Sequence, residues 1–295
     1  MKRTLITLVL AASTAQAVTV THLGGTTELK STPKRIVALE YNYQDALLKL
    51  GIKPVGVADH GYGPLPHLAK GLKGVPSVGY LSEPNLESIM ALKPDLILAD
   101  AERHKAIYAQ LSKIAPTILY NTYYGSYQDQ LEQFSEIAKI VDKEALAKNA
   151  LQEHKRIFDK AKILAKPTSF VTGVMTPTDF WVHTDKSFVG SLLSTLGLKT
   201  PVHNNQDGTQ YKITLENLIA YNPETLIIMI NPGDEALLNE WKKNPLFQSL
   251  KAVKYKRVYT FSRELWAKGR GIQGLNLILQ QASTSGLLTH KPQQP

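Results

Sequence analysis

Residues 35–58, RIVALEYNYQDALLKLGIKPVGVA, decide the fold. Arg35-Ile36-Val37-Ala38-Leu39 is a compact apolar block with β-branched residues, which reads as a buried strand. Asp45 to Leu50 follows at helical spacing, and Gly51 stands where a helix closes on a left-handed residue. Pro54-Val55-Gly56-Val57-Ala58 is a second apolar strand. A strand, a helix and a strand joined by short connections predict a parallel βαβ pair. The same alternation continues outward: a helix at 86–92, a strand at 95–99, a helix at 108–114 and a strand at 117–120. Beyond Pro167 it resumes with strands at 169–174, 225–230 and 258–261 and helices at 189–196, 235–242 and 271–283. The fold class is therefore α/β.

Between these two runs, residues 127–166 carry no Gly or Pro until Pro167 and are rich in Ala, Lys, Glu and Leu. Apolar residues recur there at helical spacing, with a break expected at 141–143. An internal repeat accompanies this division. Asn85-Leu86-Glu87-Ser88-Ile89-Met90-Ala91-Leu92-Lys93-Pro94-Asp95 recurs as Thr214-Leu215-Glu216-Asn217-Leu218-Ile219-Ala220-Tyr221-Asn222-Pro223-Glu224, at a constant offset of 129. The expected organisation is an N-terminal α/β lobe at 18–142, a connecting helix at 143–166 and a C-terminal α/β lobe at 167–295, with a cleft between the lobes.

Residues 1–17, MKRTLITLVLAASTAQA, combine a positive start, a short apolar run and a small-x-small site. They read as a secretory signal peptide cleaved after Ala17, and a periplasmic destination is expected. No later stretch is apolar enough to span a bilayer, so no membrane span is expected in the mature chain. The 295 residues contain 34 Lys+Arg against 25 Asp+Glu, a formal net charge of +9. The charges are scattered without a run of five like charges, which speaks against a nucleic-acid tail and for a basic concave site that takes an anion. Surplus Lys on solvated helix faces is the plainer source of most of the excess. Cysteine is absent, which excludes disulfides, thiol nucleophiles and Cys-based metal sites.

The segment Arg263-Glu264-Leu265-Trp266-Ala267-Lys268-Gly269-Arg270-Gly271 sits between a strand and the last helix, where α/β loops line a ligand crevice. Its Arg residues suit carboxylates. The plainer reading is a basic surface loop with Trp266 in the core. Gly269-x-Gly271-x-x-Gly274 matches a dinucleotide fingerprint in letters only, because no βαβ unit follows it. Arg103-His104 also follows a strand, and Trp181-Val182-His183 could face the cleft or pack as core and surface. Tyr41, Tyr43, Tyr62, Tyr123 and Tyr124 cluster near strand ends. The eight His are dispersed, so no protein metal site and no protein-bound cofactor is expected. Neither a Gly-x-Ser-x-Gly elbow nor a P-loop is present, and no enzyme is expected.

Thr32-Pro33-Lys34-Arg35-Ile36-Val37-Ala38-Leu39-Glu40, the run ending at Asp59, and Glu83-Pro84-Asn85-Leu86-Glu87 through Pro94-Asp95 resemble periplasmic iron(III)–siderophore-binding proteins, the solute-binding components of ABC importers. Ala99-Asp100-x-x-Arg103-His104, His183-Thr184 and Trp266 to Gly271 are most similar to the branch that carries ferric dicitrate. The resemblance implies two Rossmann-like lobes joined by a long backbone helix. It implies an anionic ferric siderophore, as ferric citrate or a citrate-type or hydroxamate chelate, delivered to an inner-membrane ABC permease with its ATPase, and a monomer. Arg103, Arg263, Lys268 and Arg270 would neutralise ligand oxygens. Tyr41, Trp181 and Trp266 would pack the chelate's apolar edges, and His183 would donate a hydrogen bond. Glu87 and Glu216, one in each copy of the repeat, would dock the transporter. Leu81 stands where this branch often carries Arg, and Lys268 where Arg is usual, which leaves mixed siderophores open. Cobalamin or haem carriers share the architecture and form the alternative reading; a secreted hydrolase is a more distant one.

Overall fold

The structure is a computed structural model that describes residues 18–203 and 208–290. The leader expected at 1–17 and its cleavage after Ala17 lie outside the described residues. The first element is an antiparallel hairpin, β1 (Val18–His22), in which Val and Thr alternate, and β2 (Gly25–Leu29), joined by a Leu23-Gly24 turn. It is docked by Leu23 N–H, which donates to Leu119 O at 3.1 Å.

The first half of the chain continues with β3 (Ile36–Ala38), α1 (Tyr41–Lys49), β4 (Gly56–Asp59), β5 (Ser77–Tyr80), α2 (Leu86–Ala91), β6 (Leu96–Asp100), α3 (Ala101–His104), α4 (Tyr108–Ile114) and β7 (Thr117–Tyr120). Its sheet has the order β5-β4-β3-β6-β7, and every pair is parallel. The central strands are buried along their whole length, which is why they read as apolar blocks and not as alternations. Gly51 closes α1 with φ +76°, a conformation that costs glycine nothing.

Two helices follow, α5 (Tyr127–Ile140) and α6 (Glu144–Leu164). Ser126 and Asp129 form a capping box at the start of α5, and Asp142 takes a left-handed φ of +56° between the two helices.

The second half comprises β8 (Phe170–Met175), β9 (Phe180–His183), α7 (Phe188–Thr195), β10 (Gln210–Ile213), α8 (Leu215–Tyr221), β11 (Thr225–Ile230), α9 (Ala236–Lys243), α10 (Pro245–Ser249), α11 (Lys251–Lys254), β12 (Val258–Ser262), α12 (Arg263–Trp266) and α13 (Ile272–Thr284). Its sheet order is β10-β9-β8-β11-β12. Here the alternation of strand and helix breaks down on one side. β8, β11 and β12 are parallel, but β9 runs antiparallel to β8, and β10 antiparallel to β9. The cause is the turn closed by Thr176 N–H to Asp179 O at 2.9 Å, which is too short for a parallel crossover. No helix among the described residues is long and apolar enough to cross a membrane.

The repeat has a structural meaning. Asn85 caps α2 through Ser88 N–H at 2.7 Å, and Thr214 caps α8 through Asn217 N–H at 3.4 Å. Lys93 and Asn222, each before the repeat's proline, take φ of +45° and +41°. The acid after each proline then ties the next strand to its neighbour. Asp95 accepts from Lys34 N–H and Arg35 N–H at 2.8 Å each, at the entry to β3. Glu224 accepts from Thr168 Oγ1–H at 2.9 Å and Ser169 N–H at 3.3 Å, at the entry to β8. Glu87 and Glu216 lie exposed in the first turns of α2 and α8.

The last helix packs Leu275, Ile278, Leu279 and Ala282 into the core of the second lobe and also lies against α6 and α1. At its N-terminus, Asp45 of α1 accepts from Gln273 N–H and Gly274 N–H, both at 3.0 Å, and from Gln273 Nε2–H at 3.2 Å through its backbone oxygen. Asp45 is buried, and its carboxylate satisfies donors that a helix start leaves without partners. The approach is close enough that a Cβ on Gly271 would stand 2.3 Å from the Asp45 side chain. A second buried link joins the helices behind: Tyr127 O–H donates to His154 Nε2 at 2.8 Å, and His154 Nδ1–H donates to Asn276 Oδ1 at 2.6 Å. Asp45→Ala would strand both backbone N–H groups in the interface, and is expected to destabilise the protein by about 3 kcal/mol. The readout is the urea midpoint, and an unchanged midpoint would show that this contact adds nothing to stability.

Candidate functional site

In the first sheet the strand order reverses between β3 and β6, because the chain returns from the β5 edge to the other side of β3. In open α/β sheets the crevice at such a switch point, beyond the C-terminal strand ends, is where ligands bind. Glu40 leaves β3 there, and Arg103 lies in the helix that leaves β6. Asp100 fixes that helix: its carboxylate accepts from Arg103 N–H at 3.0 Å, from Thr122 N–H at 2.8 Å and from Tyr123 N–H at 2.9 Å. Arg103 Nε comes to 2.6 Å from Glu40 Oε1, an ion-pair contact whose angle is not that of a hydrogen bond. Beyond β4, Gly61 and Gly63 take φ of +88° and +89°, a loop path that brings His60 and Tyr62 over the strand ends.

The second lobe closes over this floor with the loop after α12. Arg270 Nη1–H donates to Thr122 O and Tyr123 O at 2.7 Å each, and Arg270 Nε–H to Ala267 O at 3.1 Å. Tyr123 lies between two cations, with the Arg103 guanidinium 4.6 Å and the Arg270 guanidinium 5.5 Å from its ring centre. Lys268 Nζ–H donates to Glu264 Oε1 at 2.8 Å and also to Tyr62 O–H, and Tyr62 O–H in turn donates to Glu264 at 3.2 Å. A small recess of about 20 Å³ is lined by Glu40, Tyr41, Asn42, His60, Leu81, Arg103, Thr122, Lys268 and Arg270.

Burial dominates the electrostatics. It pushes the Glu40 carboxyl up to about 7 against the pull of Arg103. Burial, with Lys268 and Arg103 nearby, lowers His60 to about 4. His183 is lowered to about 3 by burial and by Arg270 and Arg263. Both imidazoles are therefore neutral at pH 7, and the positive charge of the site comes from its Arg and Lys residues. Among the described residues no group of three or more His, Asp or Glu is placed to hold a metal ion.

Of the residues singled out in the sequence, the structure brings Tyr41, Arg103, Lys268 and Arg270 together around the recess. Tyr41 accepts from His60 N–H at 3.2 Å and donates to Gly63 O at 3.3 Å. His183 is buried beside them, near Arg270 and Arg263, and neither of its ring nitrogens has a partner. Arg263 opens α12, is half-buried and does not line the recess. Trp181 projects from β9 opposite Val174 and is 40% exposed, outside the recess lining. Trp266 corrects the expectation of a chelate contact. It is fully buried, stacks on Phe261 with ring centres 4.0 Å apart and donates Nε1–H to Gln281 Oε1 at 2.7 Å. One turn of helix rotates it into the core while the following loop carries Lys268 and Arg270 to the cleft. His104 is likewise structural, with Nδ1 accepting from Asp100 N–H at 2.9 Å and Nε2–H donating to Leu81 O at 2.7 Å. Glu87 and Glu216 are not among the recess residues.

Sequence reasoning missed Glu40, His60 and Thr122 as site residues. Each stands just beyond the C-terminal end of a strand, and that position was the available signal.

The family described as periplasmic binding protein matches residues 36–265. The Fe(3+)-citrate-binding protein YfmC of Bacillus subtilis is 42% identical over 256 residues, covering 84% of this chain and 79% of that protein. The Fe(3+) dicitrate-binding periplasmic protein FecB of Escherichia coli is 35% identical over 288 residues, covering 97% of this chain and 95% of that protein. The crystal structure of Staphylococcus aureus SirA complexed with staphyloferrin B aligns with a TM-score of 0.80 at 25% identity, over 93% of this chain and 100% of that one.

The low value for His183 has a direct check. Its ring is expected to stay neutral when pH is lowered from 7 to 4, seen as unmoving imidazole resonances, and protonation near pH 6.5 would show that burial, with Arg270 and Arg263, does not hold it down.

Proposed function

The chain belongs to the periplasmic binding protein family, and from that premise we propose that it captures an anionic ferric chelate of the citrate type and hands it to an inner-membrane ABC permease with its ATPase. The carrying observation is the recess at the switch point, where Arg103, Lys268 and Arg270 converge from two lobes around the face of Tyr123. Guanidinium groups are suited to carboxylates, and burial strengthens the pairing. Relatives that carry ferric citrate and ferric dicitrate by name support the same ligand class. A lining with three cations suits an anionic chelate better than cobalamin or haem, which would want a larger aromatic cleft and fewer cations.

On this reading iron arrives as cargo inside its chelator, and the protein supplies cations and an aromatic face, with no metal ligand and no bound cofactor of its own. The protein binds and releases without performing a reaction, as its relatives, which are binding proteins, do. It acts as an exported monomer in the periplasm. His183 offers a neutral ring, Trp181 an exposed aromatic edge and Arg263 a nearby charge for the parts of a chelate that extend beyond the recess.

Native mass spectrometry with ferric citrate, iron-free citrate and a panel of ferric siderophores tests the reading. One ferric chelate per chain is expected, and retention of iron-free ligands alone would overturn it. Arg270→Ala removes a charged hydrogen-bond donor from the recess, and should weaken ferric citrate by roughly 1.5–3 kcal/mol, about 10- to 150-fold. Unchanged affinity with an intact fold would take Arg270 out of the site.

Glu87 and Glu216 are exposed, equivalent in the repeat and outside the recess, which suits two matched contacts on a two-subunit permease. Their other role, an acid in a first helical turn, is worth only roughly 0.3–1 kcal/mol. Glu87→Ala with Glu216→Ala should leave chelate affinity intact and abolish uptake in cells. Normal uptake with slightly lower thermal stability would assign both residues to the helix starts alone.

A further inference from the structure

The floor of the recess holds a carboxylate where an anionic ligand needs a cation. Glu40 and Arg103 come from adjacent strands at the switch point, so the backbone sets their meeting, and Glu40 is only 8% exposed. The other carboxylate close by cannot replace Glu40 as the partner of Arg103. Asp100 spends its oxygens on the three backbone N–H groups of Arg103, Thr122 and Tyr123. Arg270 has given Nη1 to two carbonyls and Nε to a third. Glu40 is therefore the group that competes with a ligand carboxylate for Arg103.

We infer that Glu40 couples ligand capture to proton uptake: an anionic chelate takes over Arg103, and the Glu40 carboxyl binds a proton in the same step. Two ionised carboxylates brought onto one guanidinium in a buried setting repel each other, which raises the affinity of one of them for a proton. The inference rests on the reading of the site as one for an anionic chelate.

The groups around Glu40 leave it as the residue that titrates near neutrality. Arg103 and Arg270 favour its charged form, and Asp100 opposes it. Tyr43, on the helix that follows Glu40, is raised well above its ordinary value and stays neutral, as does Tyr41. Across the recess His60 is held near 4 and the neighbouring His183 near 3, so both are already neutral above pH 6. Lys268, though lowered by burial, is paired with Glu264. The Glu40 carboxyl, pushed up to about 7 by burial, is the one whose charge changes across this range.

The sign follows. Below pH 7 a protonated Glu40 leaves Arg103 to the ligand. Above pH 7 the binding-competent form becomes the minor one, and affinity drops about tenfold per pH unit. The experiment is the dissociation constant of ferric citrate for the wild type and for Glu40→Gln from pH 6 to 8.5, with the same chelate preparation, so that the chelate's own titration cancels in the ratio. Glu40 makes no side-chain cap to α1, so Gln keeps the local fold. The two proteins are expected to agree within about twofold at pH 6, and Glu40→Gln to bind on the order of 10-fold tighter at pH 8. Calorimetry at pH 8 in two buffers of different ionisation heat should show about one more proton taken up by the wild type than by the variant. A ratio that stays constant across the range, or equal proton counts, overturns the inference alone. Absence of chelate binding at every pH overturns the functional reading and the inference with it. Should Glu40→Gln not fold, a wild-type affinity that is flat from pH 6 to 8.5 overturns the inference.

Discussion

A buried carboxylate ties the first lobe to the last helix of the second. Asp45, in the first helix of the first lobe, accepts the N–H groups of Gln273 and Gly274 that open the last helix of the second. A helix start presents N–H groups without intrahelical partners and the positive end of its dipole, so an interface that buries one needs an acceptor. Gly271 allows the approach, since any Cβ there would collide with Asp45. Because the loop carrying Lys268 and Arg270 runs directly into this helix start, the anchor also sets where those cations lie over β3 and β6. Fold and site thus depend on the same contact.

The cations that converge on the recess are each held by a partner of their own. Arg103 has Glu40, Lys268 has Glu264, and Arg270 has the carbonyls of Thr122 and Tyr123. Unpaired buried charges would be costly, so this arrangement lets a basic cleft persist without destabilising the fold. Neutral imidazoles, His60 in the lining and His183 beside it, add no repulsion.

The first βαβ unit was legible because its strands are buried on both faces and its helix ends on a glycine, signals that lie within a dozen residues of each other. The repeat was legible for a related reason: a cap, a left-handed residue before proline and an acid that ties neighbouring strands are local requirements met twice. The antiparallel strands β9 and β10 were not, since each has four residues and their direction is set by a turn length. Trp266 illustrates the limit for the site. In sequence it stands two residues from Lys268, and only the rotation of a one-turn helix separates a core residue from a cleft residue. Glu40 was hidden differently, because an acid between strand and helix reads as a helix start, and its role appears only when β3 is seen beside β6.

Selectivity follows from how the recess is paired. Each of its cations already makes hydrogen bonds or ion pairs inside the protein, so a neutral guest would gain little by displacing them and would leave a carboxylate or carbonyl behind. A guest with several carboxylates offers replacements for those partners at once, on two guanidiniums that lie against the Tyr123 ring. The same guest brings negative charge next to Glu40, the one lining residue of matching sign. Attraction to Arg103 and Arg270 and repulsion from Glu40 therefore act on the same ligand atoms. Their balance, set by burial at the switch point, decides how much negative charge the cleft accepts.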